Sequence, residues 1–171
     1  MRINVTGNAG SGKSTLSRKI ANELSLPLVE MDSLIWRPGW QRTPSGISRQ
    51  KLIQLLSSDN WVLDGVSRMG RQNADLVIFL DFPRRICAWR CMRRNWRYLF
   101  SSRPGLPEDC PEWKIVPTLA KIIWAFPDQA RPAILQDVER FGDGGIVIRT
   151  SDELTALTKD IPELLRCFPV V

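Results

Sequence analysis

The sequence predicts an α/β protein, a parallel sheet with helices packed on both of its faces. Three observations carry that prediction. Short apolar runs alternate five times with amphipathic helical patterns. A glycine-rich turn, Gly7-Asn8-Ala9-Gly10-Ser11-Gly12-Lys13-Ser14-Thr15, joins the first apolar run to the first helical pattern. The 171 residues show no internal repeat and no low-complexity linker, and that length suits one domain with a proper core.

The elements follow in order. Met1 to Val5 reads as the first strand, although Arg2 and Asn4 make it more polar than a strand buried on both faces. Lys13 to Leu24 is the first helix, with Leu16, Ile20, Ala21 and Leu24 on one face and Pro27 as its stop. Leu28 and Val29 begin the second strand, which ends at Glu30-Met31-Asp32. Ser33 to Trp40 mixes proline, glycine and two tryptophans, too irregular for a regular element. Thr43-Pro44 predicts an N-cap followed by proline at the first helical position, and Leu52, Ile53, Leu55 and Leu56 give that helix its core face. After the turn Ser57 to Asn60, Trp61-Val62-Leu63 is the third strand and ends in Asp64-Gly65. Leu76 to Leu80 is the fourth and cleanest strand. Asp81 is expected to cap an arginine-rich helix running from Pro83 towards Leu99. Ser101 to Pro111 is a loop, and two helices are expected near 112–126 and 128–141, with the break at Pro127. Gly142 to Gly145 turns into the fifth strand, Ile146-Val147-Ile148. Ser151 caps a last helix carrying Leu154, Leu157 and Ile161 on one face, bent or ended by Pro162.

Residues 7–15 fit the pattern G-x-x-x-x-G-K-[ST] of a phosphate-binding P-loop, in the strand–loop–helix setting that the pattern requires. Gly7, Gly10 and Gly12 permit positive φ and leave no Cβ between backbone and ligand. The loop amides of Gly7, Asn8, Ala9, Gly10, Ser11, Gly12, Lys13, Ser14 and Thr15 and the helix dipole favour an anion there. Lys13 would reach the β- and γ-phosphates of ATP, and the Ser14 hydroxyl would ligate Mg²⁺. Right-handed crossovers put ligands at the carboxyl ends of parallel strands, so Gly7, Asp32, Asp64 and Arg149 should converge on one cleft.

Composition narrows the chemistry. There is no histidine, and the four cysteines, Cys87, Cys91, Cys110 and Cys167, form no C-x-x-C pair, which argues against zinc. They read as small buried or half-buried thiols. Acid–base chemistry must then use carboxylates, lysine or water. No stretch approaches the roughly 18 apolar residues of a membrane span, and the early P-loop leaves no room for a signal peptide, so a cytoplasmic location is expected. The net charge is +6, and seven arginines (Arg84, Arg85, Arg90, Arg93, Arg94, Arg97, Arg103) fall between Phe82 and Pro107 with no acid among them. Such a block suits polyphosphate or nucleic acid.

The chain resembles the small P-loop kinases of the adenylate kinase and shikimate kinase group, and more narrowly the bacterial topology modulation proteins, the FlaR-like group. The residues that carry this are the P-loop, Leu34-Ile35-Trp36-Arg37-Pro38-Gly39-Trp40 after Asp32, Trp61-Val62-Leu63-Asp64-Gly65, Phe79-Leu80-Asp81-Phe82-Pro83-Arg84, and Trp124-Ala125-Phe126-Pro127 followed by Arg131-Pro132. The resemblance implies a P-loop NTPase three-layer sandwich with a five-stranded parallel sheet ordered 2-3-1-4-5. It also implies a single domain over 1–171, an arginine-rich helical lid at about 84–141, and phosphoryl transfer from Mg²⁺·ATP to a small acceptor. The narrow group continues Asp-Gly with Asn-Tyr, whereas here Val66-Ser67-Arg68 follows, the Asp-Gly-x-x-Arg spacing of adenylate kinases. The acceptor loop thus departs from that of the narrow group.

On that resemblance Asp64 holds Mg²⁺ through water, with a turn-forming Asp-Gly pair as the other reading. Asp32 accepts the substrate hydroxyl proton or positions the acceptor, or else caps the next segment. Asp81 looks like a Walker B aspartate, but its place before Pro83 favours a cap. Arg68, with Arg71 as substitute, would bind an anionic group of the acceptor. Arg90, Arg94 and Arg97 share one helical face and would close on the β- and γ-phosphates, joined by Arg131, unless they form a solvated basic face. Trp36 and Trp40 flank Arg37 and could stack on a planar or sugar-like acceptor. Trp89, Trp96, Trp113 and Trp124 are expected to pack the lid helices together, and core packing is the default for all seven tryptophans. A rival reading is a nucleotide-binding regulator associated with DNA or with a protein partner.

Overall fold

The computed structural model describes residues 1–98, 100–102, 106–159 and 161. Its elements are β1 (Arg2–Gly7), α1 (Lys13–Leu24), β2 (Leu28–Glu30), α2 (Met31–Ile35), β3 (Trp36–Arg37), β4 (Gln41–Arg42) and α3 (Ser45–Leu56). They continue with β5 (Trp61–Asp64), α4 (Arg68–Gln72), β6 (Leu76–Leu80), α5 (Arg84–Arg97), α6 (Glu112–Gln129), α7 (Arg131–Arg140), β7 (Gly145–Ile148) and α8 (Ser151–Lys159). Five strands form one parallel sheet in the order β2-β5-β1-β6-β7. In chain order of the five, that is the expected 2-3-1-4-5.

Alternation along the strands builds a core on each face. Leu76, Ile78 and Leu80 face α1, α5 and α8 with Ile3, Val5, Leu16, Ile20, Cys87 and Leu157. Val77 and Phe79 face the other way, with Leu63, Leu52, Leu56, Ile134 and Val138 of the α3 and α7 side. Asn4, too polar for its strand by sequence, is fully buried and donates from Nδ2 to the carbonyls of Leu63 (3.0 Å) and Gly65 (3.4 Å). It thereby clamps the end of β5, where Asp64 sits.

Several sequence expectations are corrected. Ser33 to Trp40 is regular after all: α2 starts directly at Met31, and β3 and β4 pair as an antiparallel hairpin. Long-range bonds hold that hairpin, with Gly39 N–H to the Asp109 carbonyl (3.0 Å) and the Trp40 indole N–H to the Pro111 carbonyl (2.9 Å). Ile53 and Leu55 are exposed, and only Leu52 and Leu56 of their set are buried. Pro44 and Pro83 are themselves the N-caps of α3 and α5, so neither Thr43 nor Asp81 caps them. Thr150, not Ser151, caps α8: its Oγ1 accepts from the Glu153 N–H, and Glu153 Oε2 accepts from the Arg149 and Thr150 N–H groups. Pro127 does not break the helix. It lies inside α6, because the Ile123 carbonyl that its missing N–H abandons accepts from Asn8 Nδ2 at 3.0 Å instead. Trp89, Trp96, Trp113 and Trp124 are all more than half exposed, and Trp61 is the buried one. Cys87, Cys91 and Cys110 are buried thiols, and burial pushes the Cys87 thiol up to about 11, which keeps it inert at neutral pH. Cys167, Arg103, Leu99 and Pro162 lie outside the described residues.

Candidate functional site

The loop between β1 and α1 curls through positive φ at Gly10 (82°) and Gly12 (102°), and α1 begins at Lys13 with Gly12 as its left-handed N-cap. The first amides of an α-helix lack partners within it, so the start of α1 at Lys13 leaves donors for an anion beside the loop. Asn8 is buried and ties the loop to α6. Gly10 fixes the loop against α5: a Cβ there would lie 2.2 Å from the Cys87 carbonyl oxygen. That close approach hangs the arginines of α5 over the loop. Gly10→Ala is therefore expected to destabilise the fold by roughly 2–4 kcal/mol, through a strained φ and a backbone clash, as read by urea unfolding.

A cleft of about 430 Å³ opens above the loop. Its floor is Gly10, Gly12, Lys13, Ser14 and Thr15, and Arg90, Arg93, Arg94 and Arg97 of α5 and Tyr98 just beyond it overhang the floor. Arg90 donates to the Ser11 carbonyl (3.3 Å) and the Ser151 hydroxyl (3.0 Å), and packs over the Phe82 ring at 4.5 Å. Arg94 donates to Asn95 Oδ1 (3.2 Å) and lies 3.9 Å from the fully buried Glu112 carboxylate.

A second cavity of about 180 Å³ lies on the other side of Lys13. It holds Asp32, Asp64, Gly65 and Val66 at one end and Trp36, Trp40, Ile115, Leu119, Ile122 and Phe126 as walls. Trp36 and Trp40 meet edge to face, with centroids 5.3 Å apart and planes at 83°. Lys13 and Arg94 line both spaces.

Asp64 is buried, and its Oδ1 has no hydrogen-bond partner. Burial pushes its carboxyl above the usual carboxylate range; Lys13 and a hydrogen bond with Ser14 oppose the rise, while Asp32 and Glu30 add to it. An acid with a raised folded-state pKa stabilises the fold below its unfolded value of 3.8, and that contribution is lost as pH rises through the folded value. Asp64→Asn is thus expected to raise the Tm of the nucleotide-free protein at pH 7. The gain should be a few degrees, since about 1 kcal/mol moves Tm by about 2–4 °C at this length. It should shrink as pH falls towards 4, and melting curves across that range check it.

The structure brings Lys13, Ser14, Asp32, Asp64, Arg90 and Arg94 to this pair of spaces. Four arginines of the sequence reading, Arg68, Arg71, Arg131 and Arg149, line neither space. Arg68 is exposed at the start of α4 and lines neither space. Arg71 is buried against Asp137 at 2.8 Å. Arg131 donates to both oxygens of Asp81 (2.7 and 2.9 Å), which also lies 3.6 Å from Arg149; Asp81 is a tie between α7 and the sheet edge. Sequence reasoning missed Arg18 and Arg93 as cleft residues. It also missed the α6 wall, although Ile115, Leu119, Ile122 and Phe126 recur at helical spacing. Among the described residues no helix is long and apolar enough to cross a membrane.

No protein-family model matches the chain. Over 101 residues it is 29% identical to adenylate kinase 2 of a Synechocystis strain, a match covering 47% of this chain and 56% of the relative, so the chain spans about half of that relative's length. Solved structures match almost throughout. A shikimate kinase from Acinetobacter baumannii in complex with shikimate has TM-score 0.52 at 19% identity, covering 99% of this chain and 95% of that one. A gluconokinase from Sinorhizobium meliloti has TM-score 0.51 at 16% identity, covering 98% and 93%. At those identities the likeness is one of fold, and the fold is that of the P-loop kinases.

Proposed function

We propose that the chain is a Mg²⁺·ATP-dependent phosphotransferase that moves a γ-phosphate to a hydroxyl of a small acceptor. One observation carries this: a cation-lined cleft over the P-loop and a separate small cavity meet at Lys13 and Arg94. A donor polyphosphate in the first and an alcohol in the second face each other across those two cations. The loop amides and the cleft arginines hold the donor's charge. Lys13 and Arg94 neutralise the transferring group, and Asp32 orients the acceptor hydroxyl and receives its proton. Positioning and electrostatics supply the catalysis, so the missing histidine costs nothing.

The donor set fits magnesium rather than zinc. Among the described residues no three cysteine, histidine or carboxylate side chains converge. Ser14 and Asp64, with an unsatisfied buried carboxylate oxygen, suit an ion that keeps most of its waters. Such an ion, when bound, neutralises charge on the phosphate oxygens.

Kinship with topology modulation proteins and a cytoplasmic location belong to the same proposal. The rival reading, a DNA-bound regulator, draws on the arginine block; four of those arginines line the P-loop cleft, which supports phosphate transfer. The test is ADP release from Mg²⁺·ATP, with and without nucleosides, nucleotides, sugars and small alcohols. At least one class is expected to raise release about tenfold or more over water alone. Release that no acceptor changes would overturn the proposal.

A further inference from the structure

We infer that Asn8 is a positioning residue. Through the backbone carbonyl that Pro127 leaves open, it locks the phosphate loop to the α6 wall of the smaller cavity, so a nucleotide on the loop sets where that wall stands. This rests on the phosphotransfer reading of the two spaces and names what keeps them in register.

Both ends of the contact are compelled. In an α-helix the N–H of residue 127 would donate to the carbonyl of residue 123, and proline has no N–H. The Ile123 carbonyl therefore takes its donor from outside α6, and Asn8 Nδ2 supplies it at 3.0 Å. Asn8 is 2% exposed and Ile123 3%, so an unmade contact would strand a buried donor and a buried acceptor. The other atom of the Asn8 amide faces the loop, where Oδ1 accepts from the Ala9 N–H at 2.8 Å. With a donor on one side and a carbonyl on the other, the amide has one orientation, Oδ1 to the loop and Nδ2 to α6.

The link joins two parts of one site. Gly7 and Ala9, on either side of Asn8, line the smaller cavity, and so do Leu119, Ile122 and Phe126 of α6, which bracket Ile123. Gly10, two residues beyond Asn8, lines the P-loop cleft. The loop that would cradle the donor phosphates and the wall that would pack an acceptor are thus tied through one buried side chain. Transfer needs the two reactants held in line, and a misplacement of about 1 Å costs about 100-fold in rate. The Asn8 side chain is occupied by its two bonds and holds the spacing of the surfaces that touch the reactants.

The test is amide hydrogen exchange of α6 residues 119–126 with Mg²⁺ and the β,γ-imido analogue of ATP, each protein saturated according to its own calorimetric titration. In the unaltered protein the analogue should slow that exchange about fivefold or more. In Asn8→Ala the slowing should fall below about twofold. Pro127→Ala supplies the structural control. It returns a backbone N–H to the Ile123 carbonyl, so in that background Asn8→Ala should lower the urea midpoint by roughly half as much or less. The double variant should regain that stability and still lack the slowing, because a helical donor satisfies the carbonyl without tying it to the loop. It also carries the test if Asn8→Ala alone fails to fold. Full slowing in Asn8→Ala overturns the inference, and so does slowing that returns with stability in the double variant, for Asn8 would then only satisfy a carbonyl. An analogue that binds the unaltered protein without slowing α6 exchange overturns it too and leaves the kinase reading standing. An analogue that fails to bind sinks both. Slowing as expected, beside ADP release that no acceptor changes, sinks the kinase reading alone.

Discussion

Lys13→Ala is expected to cut acceptor-dependent ADP release by about 10³-fold or more while the far-ultraviolet circular dichroism and the melting curve stay near those of the unaltered protein. Lys13 is the first residue of α1, half-exposed, and belongs to neither hydrophobic core cluster. Its removal leaves Leu16, Ile20 and the loop glycines in place. What is lost is one of the two cations common to both spaces, at the point where the proposed transfer builds negative charge. Lysine here is also the charge that opposes the rise of the Asp64 carboxyl. Without it, Asp64 holds its proton to higher pH, and the pH profile of any residual activity should shift upwards. Retention of full turnover by Lys13→Ala would sink the proposed chemistry.

Arg94 should show the second largest effect. Arg94→Lys keeps a positive charge beside Glu112 but loses the planar fork that can grip a phosphoryl group at two oxygens. Arginines in this role contribute about 10³–10⁵ in rate in known P-loop enzymes, so the lysine variant should lose about 10²-fold or more in kcat. Its affinity for ATP should fall little, because Arg90, Arg93 and Arg97 still line the cleft. Arg94→Ala adds a second penalty. It removes the guanidinium that lies 3.9 Å from the fully buried Glu112 carboxylate, so the melting temperature should fall by a few degrees. A kcat loss shared by both variants, with a melting shift confined to the alanine one, separates the catalytic role from the structural one. Equal kcat in Arg94→Lys and the unaltered protein would remove Arg94 from the transfer step.

The amino-acid sequence by itself determined what depends on local order. The alternation of apolar runs and helical stripes specified the parallel sheet, because short apolar runs bounded by turn residues read as buried strands and stripes at helical spacing as helices. Residues 7–15 specified the phosphate loop, since nine consecutive positions contain both the glycines and the lysine. Asp32 and Asp64 were legible as strand-end residues, and strand ends share one edge in such a sheet. The tertiary structure alone decided matters of long-range partnership. Arg131 and Arg71 look available for phosphate or acceptor in the sequence and Asp81 reads as a helix cap, yet each is held by an ion pair reaching across at least 50 residues. Pro127 marks a break by local rules, and only Asn8, more than 100 residues earlier, makes the uninterrupted helix possible. The lid tryptophans read as core because large rings favour burial, but the faces of α5 and α6 that carry them stay open to solvent. The smaller cavity is assembled from β1, α1, α2, the β3–β4 hairpin, β5, α5 and α6 together. Its lining is thus a property of the assembled fold, because the make-up of a cavity depends on which side chains meet in space, and sequence spacing does not report that.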